Sequence, residues 1–196
     1  MFEEDLFIKN YFKDLSKGFY ADVGCYHPLE GNNTYLLYKK GWRGVNFDIN
    51  SYSINLFNFF RKRDLNIHSG ISNKKNKMMM YYRKKINMLN TVNSNHAKKY
   101  FRNGFKKKIV KVNTLNYFIE KNFKTLKKID FLNIDVEGNE LNVLRALNFT
   151  RYKPQLLCIE IHDKLDKHNK IYNYLIYKKY KVVWNKKYSY IFERKI

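Results

Sequence analysis

The chain has 196 residues and a mass of 23.9 kDa, enough for one domain with a proper core and short for two. A hydrophobic fraction of 44%, with 17% aromatic residues, excludes a disordered polymer. The formal charge of +22, from 39 Lys+Arg against 17 Asp+Glu, invites a nucleic-acid or anionic-membrane reading, because basic surfaces bind phosphates by counterion release. Lys, Asn, Ile, Tyr and Phe nevertheless make up roughly half of the chain, as A+T-rich codons drifting into unconstrained surface positions would produce. Arg, which suits bidentate phosphate and base recognition, is scarce beside Lys.

In chain order, residues 3–16 predict an amphipathic helix with Leu6, Phe7, Tyr11, Phe12 and Leu15 on one stripe. "FYADVG" predicts a buried parallel strand meeting a turn. "TYLLYKK" predicts a helix capped by Asn32, Asn33 or Thr34 and ended by Gly41, and "GVNFDI" a second strand with Asp48 near its C-terminal end. Strand, turn, helix and strand within about thirty residues make one βαβ unit. "SINLFNFFRKR" follows as a helix capped by Ser51 or Ser53, and "LNIHSGIS" as a third strand. Residues 73–108 lose any period and predict an insertion or lid.

"KIVKV" then predicts a short strand, "TLNYFIEKNF" a helix capped by Thr114, and "IDFLNID" a strand ending on Asp135. Residues 138–147 predict a helix and "QLLCIEI" a buried strand. "LDKHNKIYNYLIYKK" reads as a last helix, and a closing hairpin turns at Asn185 and Lys186. The alternation argues for an α/β fold with a mostly parallel seven-stranded sheet, an antiparallel last strand and helices on both faces.

Cys25 and Cys158 lie far apart in apolar surroundings and indicate neither a metal pair nor a disulfide framework. The first residues are acidic and lack a signal pattern, and no run approaches the length of a membrane span. The expectation is a soluble, cytoplasmic, single domain over residues 1–196. His27, His68, His96 and His168 show no ligand spacing among themselves.

Three apolar strands end in carboxylates: Asp22 before Gly24, Asp48 after Phe47, and Asp135 followed by Glu137 and Glu140. Ligands of open α/β sheets bind outside the C-terminal ends of the strands, so these groups should converge. Asp48 follows Gly24 at the distance where an acid on the second strand reaches ribose hydroxyls. The intervening turn lacks G-x-G-x-x-G, and Glu30 sits badly beside a pyrophosphate, which argues against NAD and NADP.

"YADVGCYHPLEGNNTYLLYKKGWRGVNFDIN", "IDFLNIDVEGNELNVLRAL" and "KPQLLCIEIHD", in this order, resemble the FkbM-type family of S-adenosylmethionine-dependent methyltransferases over residues 19–163. The resemblance implies a Rossmann-like class I methyltransferase fold and methyl transfer from S-adenosylmethionine to a hydroxyl of a small molecule or glycan. It implies that Asp22 and Gly24 form the first cofactor motif and that Asp48 holds the ribose hydroxyls. It also implies that Ser69, Gly70 and Ile71 rest against the adenine, while Asn33 and Thr34 open a helix facing the cofactor's carboxylate. The family pattern is departed from at Cys25-Tyr26-His27-Pro28 and at Asn116.

General-base candidates are Asp135, Glu137, Glu160 and His162, the histidine having an ordinary pKa near neutrality. Asp135, Glu137 and Glu160 alternatively gather a divalent cation such as magnesium, which favours hard oxygen ligands. Glu140 reads as favourable charge at a helix N-terminus. A rival reading makes the chain an RNA-binding protein or RNA methyltransferase. It rests on the basic run 74–108, where Tyr81, Tyr82, Tyr100 and Phe101 would stack on bases.

Overall fold

Seven strands line up in the order β3-β2-β1-β7-β8-β10-β9 in a computed structural model that describes residues 3–84, 87–162 and 169–195. His168 and the start of the predicted last helix lie outside the described residues. The strands of this sheet are β1 (Phe19–Val23), β2 (Arg43–Asp48), β3 (Leu65–His68), β7 (Phe131–Ile134), β8 (Leu156–Glu160), β9 (Tyr180–Lys186) and β10 (Ser189–Arg194). β1, β2, β3, β7 and β8 pair in parallel, and β10 runs antiparallel to both β8 and β9. The expected mostly parallel sheet with an antiparallel last strand is therefore present.

Alternation along the central strands explains why both faces are covered. Ala21, Val23, Leu132, Ile134, Leu157 and Ile159 point into one apolar cluster, shared with α5 (Leu115–Asn122), α6 (Glu140–Arg145) and α7 (Lys170–Tyr177). Tyr20, Phe131, Leu156 and Cys158 point into the other, closed by Ile8 of α1 (Glu4–Tyr11), Leu37 of α2 (Tyr35–Lys39) and the fully buried Trp42. Strands buried on both sides read as continuous apolar runs, which made them legible from the sequence.

Several local expectations need correction. In α1 the buried stripe runs through Ile8 to Phe12, and Leu6 stands 55% exposed. α3 (Ser51–Phe60) is capped by Asn50, whose side chain accepts from Tyr52 N, and not by Ser51 or Ser53. Thr114 does cap α5, accepting from Tyr117 N. The predicted third strand divides at Ser69: β3 stays in the large sheet, whereas β4 (Gly70–Ile71) pairs with β6 (Lys106–Asn113) in a second sheet. The last hairpin turns at Lys187 and Tyr188, two residues later than expected.

The segment 73–108 is more regular than its polar composition suggested. It supplies β5 (Asn76–Tyr82), α4 (Ser94–Tyr100) and the start of β6, and the second sheet has the order β4-β6-β5. Its inner face, Met80, Val110 and Val112, packs with Ile49, Met78, Tyr82 and Val92. This places the small sheet beside the C-terminal end of β2.

Candidate functional site

The parallel strands β1, β2, β7 and β8 all finish at one edge of the sheet, and there the chain leaves a cleft of about 620 Å³, its open mouth included. Gly24, Asp48, Ser69, Gly70, Ile71 and Asp135 line it, six of the residues singled out in the sequence. Tyr26, of the turn where the family pattern is departed from, also lines it, as do Ile49, Asn90, Val92, Val112 and Asn139, which sequence reasoning does not single out.

Gly24 is fixed by geometry on two counts. Its φ of +85° lies in the left-handed region, and a Cβ there would sit 1.7 Å from the carbonyl oxygen of Asp135. Gly24 N donates to Phe47 O at 2.9 Å and Asp135 N donates to Val23 O at 2.9 Å, so the turn is stitched to both neighbouring strands. Gly70 is similarly confined, since a Cβ would meet Val112 Cγ1 at 2.7 Å.

Asp48 faces the cleft while its carboxylate accepts from Tyr26 N at 2.9 Å and Asn50 N at 2.7 Å. Loss of solvation pushes its pKa up to about 7, against the pull of those amides. A ligand that brought hydroxyl donors would restore what desolvation takes away.

Asp22, Asn33 and Thr34 are absent from the cleft wall. Asp22 is fully buried and points to the opposite face of β1 from the cleft residue Val23. It accepts from Asn133 Nδ2 at 2.9 Å, Asn32 Nδ2 at 3.0 Å and Thr34 Oγ1 at 3.0 Å. Asn33 Nδ2 donates to Asn133 Oδ1 at 3.0 Å. α2 has only five residues, and Thr34 N already donates to Asn32 Oδ1. These three residues hold the turn in place from behind.

Behind them stands Arg61, 0% exposed, which the sequence did not flag. Its guanidinium donates to Pro28 O at 2.9 Å, Tyr20 Oη at 2.8 Å, Thr34 Oγ1 at 2.8 Å and Asp64 Oδ2 at 3.1 Å, and lies 4.4 Å from the ring centre of Tyr38. The loop 25–31 is thereby anchored at Pro28. His27 belongs to the same loop, its Nδ1 accepting from Glu30 N at 3.1 Å.

At the other end of the cleft, four elements bring together a carboxylate and imidazole cluster. Asp135, Glu137 and Glu160 each place an oxygen within 4.8 Å of the others, as do His96, Glu137 and His162 with their ligand atoms. His96 Nε2 is 2.7 Å from Glu137 Oε2, and His162 Nε2 is 3.1 Å from Glu160 Oε2 and 3.5 Å from Glu137 Oε2. His96 comes from α4, and sequence reasoning left it unassigned because its neighbours arrive from β7, β8 and the turn between them and their helices. Glu137 holds a left-handed φ of 56°. Thr91 Oγ1 donates to its carbonyl at 2.6 Å, and Asn93 Nδ2 donates to Gly138 O at 2.8 Å. Glu140 accepts from Gly138 N at 2.8 Å, the helix-start role expected of it.

The electrostatics of the cluster are uneven. Asp135 is open to the cleft, yet its pKa is raised well above the carboxylate range, by loss of solvation and by the charges of Glu160, Glu137 and Glu140. Water in the cleft tempers the first cause, and the crowding of like charges carries the direction. Burial pushes Glu137 up, but the contacts with His162 and His96 outweigh it and its pKa is lowered. The contacts with Glu137 and Glu160 push His162 up to about 11. The near-neutral value assumed for His162 from the sequence is therefore not the one these contacts favour.

A glycine-bound turn after β1, an acid ending β2 and an acidic cluster after β7 thus meet at one end of the parallel strands. Residues 22–190 match the family of the methyltransferase FkbM domain, and the chain belongs to that family. The family's chemistry is methyl transfer. The methyltransferase FkbM of Methylobacillus flagellatus KT, a solved structure, superposes on 91% of this chain with a TM-score of 0.55 at 13% identity. At that identity the likeness is one of fold, and this chain spans 44% of that protein's length. No curated protein matches the chain.

Proposed function

We propose that the chain is an S-adenosylmethionine-dependent O-methyltransferase acting on a hydroxyl of a small molecule or glycan, with the Rossmann-like class I arrangement of its site. The observation that carries the reading is the cleft that collects Gly24, Asp48, Ser69, Gly70 and Ile71 and ends on Asp135.

The residues present fit the cofactor. Asp48, held by two amides, offers an acceptor-only carboxylate to a pair of ribose hydroxyls. Ile49, Ile71 and Val112 give the adenine an apolar wall, and Gly24 lets the methionine portion approach the backbone where any side chain would intrude. Asp22, Asn33 and Thr34 support this from behind the turn. S-adenosylmethionine supplies a methyl group on a sulfonium, already activated for in-line displacement.

The chain's own task is then alignment, plus removal of the acceptor's proton. In this reading Asp135, whose raised pKa makes its ionised form the stronger base, takes the proton, since it alone among the four candidates lines the cofactor cleft while lying beside Glu137 and Glu160. An open groove lined by His96, Tyr100, Asn139 and His162 adjoins the cluster and is the acceptor side. In this reading residues 73–108 form the cover of one domain, because Asn90 and Val92 close the cleft and His96 and Tyr100 the groove. Cys25 and Cys158, both buried and free, suit a reducing, cytoplasmic setting. Among the described residues no helix is long and apolar enough to cross a membrane.

The test is incubation of the chain with methyl-tritiated S-adenosylmethionine and fractionated extract. Label in a base-stable ether of a small-molecule or glycan fraction is the expected result, and label in none of the fractions overturns it.

One observation favours the RNA reading. Cross-strand pairing sets Lys77 opposite Lys111 and Tyr81 opposite Lys107 along the outward side of β5 and β6, a basic face with a half-buried ring packed on Phe105. Label recovered in RNA, with binding that falls steeply as salt rises, would select it.

A further inference from the structure

We propose that His96, Glu137 and His162, with Glu160 beside His162, form a binding site for a divalent transition-metal ion of the zinc and cobalt class. The proposal goes beyond methyl transfer from S-adenosylmethionine and stands without it, because metal binding is measured with no cofactor present.

Geometry is the first ground. Ligand atoms placed tetrahedrally at zinc-type bond lengths lie about 3.3 Å from one another. The separations here are 2.7 Å for His96 to Glu137, 3.5 Å for His162 to Glu137 and 3.1 Å for His162 to Glu160. They bracket that spacing. The imidazole rings of His96 and His162 stand with centres 5.1 Å apart, each with its Nε2 against the same Glu137 oxygen.

The second ground is independent. His96 and Glu137 are more than nine-tenths buried, yet His96 Nε2, Glu137 Oε2, Glu160 Oε2 and His162 Nε2 have no hydrogen-bond partner among the described residues. The 2.7 Å contact is close enough for a hydrogen bond, but the ring N–H would point past the oxygen. Buried polar atoms are ordinarily satisfied, and four that meet only as close, poorly aligned pairs can be satisfied together by one shared partner.

The donor set chooses the metal. Magnesium and calcium take oxygen ligands, which Asp135, Glu137 and Glu160 alone would supply. Two imidazoles with carboxylates suit zinc and its first-row neighbours. The expectation of an all-oxygen magnesium site from the sequence shifts accordingly, with Glu137 shared between the two sets. An ion here would also tie α4 of the 73–108 segment to the ends of β7 and β8, next to the groove on the acceptor side.

The experiment uses the untagged full chain, stripped by chelator and titrated with cobalt(II). Expected are saturation at one equivalent and visible d–d bands of a nitrogen-ligated ion. Neither a tenfold excess of magnesium nor S-adenosylmethionine should remove it. His96→Gln and His162→Gln, each confirmed folded by circular dichroism, should weaken binding at least tenfold and alter the bands. No saturable cobalt binding, binding unchanged in both variants, or displacement by equimolar magnesium would each overturn the proposal. Titration of S-adenosylmethionine into the same stripped sample tests the methyltransferase reading separately, so that one can fail while the other survives.

Discussion

Two polar clusters flank the same central strands and are built on opposite terms. Around Asp22 and Arg61, burial is complete and the charges are met: Asp22 has three donors, and Arg61 donates to five partners, among them its counter-ion Asp64. Around Glu137, burial is nearly as deep, but carboxylates crowd together, a non-glycine residue sits at positive φ, and buried nitrogens and oxygens lack aligned partners. The first pattern is that of a scaffold, where breaking a satisfied buried pair is costly. The second is that of a site, where stability is given up for chemistry.

The sharpest way to break this contrast is to remove Arg61. Arg61→Met takes the counter-ion from the buried Asp64, strands the Pro28 carbonyl inside the protein and should destabilise it by about 3–5 kcal/mol, read by urea unfolding. A loss under about 1 kcal/mol would mean the network is not the scaffold described. Asp135→Asn should do the reverse. It relieves like-charge crowding, so unfolding stability should hold or rise, while turnover of an identified acceptor falls about a hundredfold or more. Loss of stability with turnover retained would exchange the roles of the two clusters.

Between them lies Gly24, which touches both the scaffold and the cleft. Gly24→Ala should cost about 1–3 kcal/mol through its collision with the Asp135 carbonyl and should weaken cofactor binding as well. Unaltered stability would show that the turn yields. Asn50→Ala, which removes the cap of α3, should cost about 1 kcal/mol in thermal unfolding and leave turnover unchanged.

The Asp48 carboxylate adds a pH slope. Asp48 has a folded pKa near 7, above its unfolded value, so the native state holds the extra proton. Stability should therefore decline as pH rises from about 4 to 7 and level above it. Cofactor affinity should run the other way, rising through about pH 7 as the carboxylate ionises to accept hydroxyls. Asp48→Asn should flatten both profiles, and an unaltered stability profile in the variant would assign the slope elsewhere.

What the sequence made legible follows from these physical differences. Strands such as "FLNI" and "LLCIE" are apolar on both faces and announced themselves, and the glycine and acids at their ends marked the edge where the site lies. The 73–108 segment hid β5 and α4 because exposed Lys and Asn interrupt its inner apolar row of Met80, Val110 and Val112. Asn50 was overlooked as a cap because two serines followed it. Arg61 and His96 were invisible for a shared reason. Each acquires its meaning from partners far away in the chain, 41 residues for Arg61 to Tyr20 and the loops after β7 and β8 for His96. Asp22 misled in the opposite direction, since strand alternation turns its side chain away from the cleft that its neighbour Gly24 opens.

The central claim is that the cleft from Gly24 to Ile71 binds S-adenosylmethionine through Asp48. Calorimetric titration of S-adenosylmethionine into the wild-type chain and Asp48→Ala at pH 8 tests it most directly. Saturation at one equivalent is expected for the wild type, with affinity reduced about tenfold to a hundredfold in the variant, as for loss of hydrogen bonds to a charged group. Absence of heat and of any thermal shift in the wild type, or equal affinity in the two proteins, would contradict it.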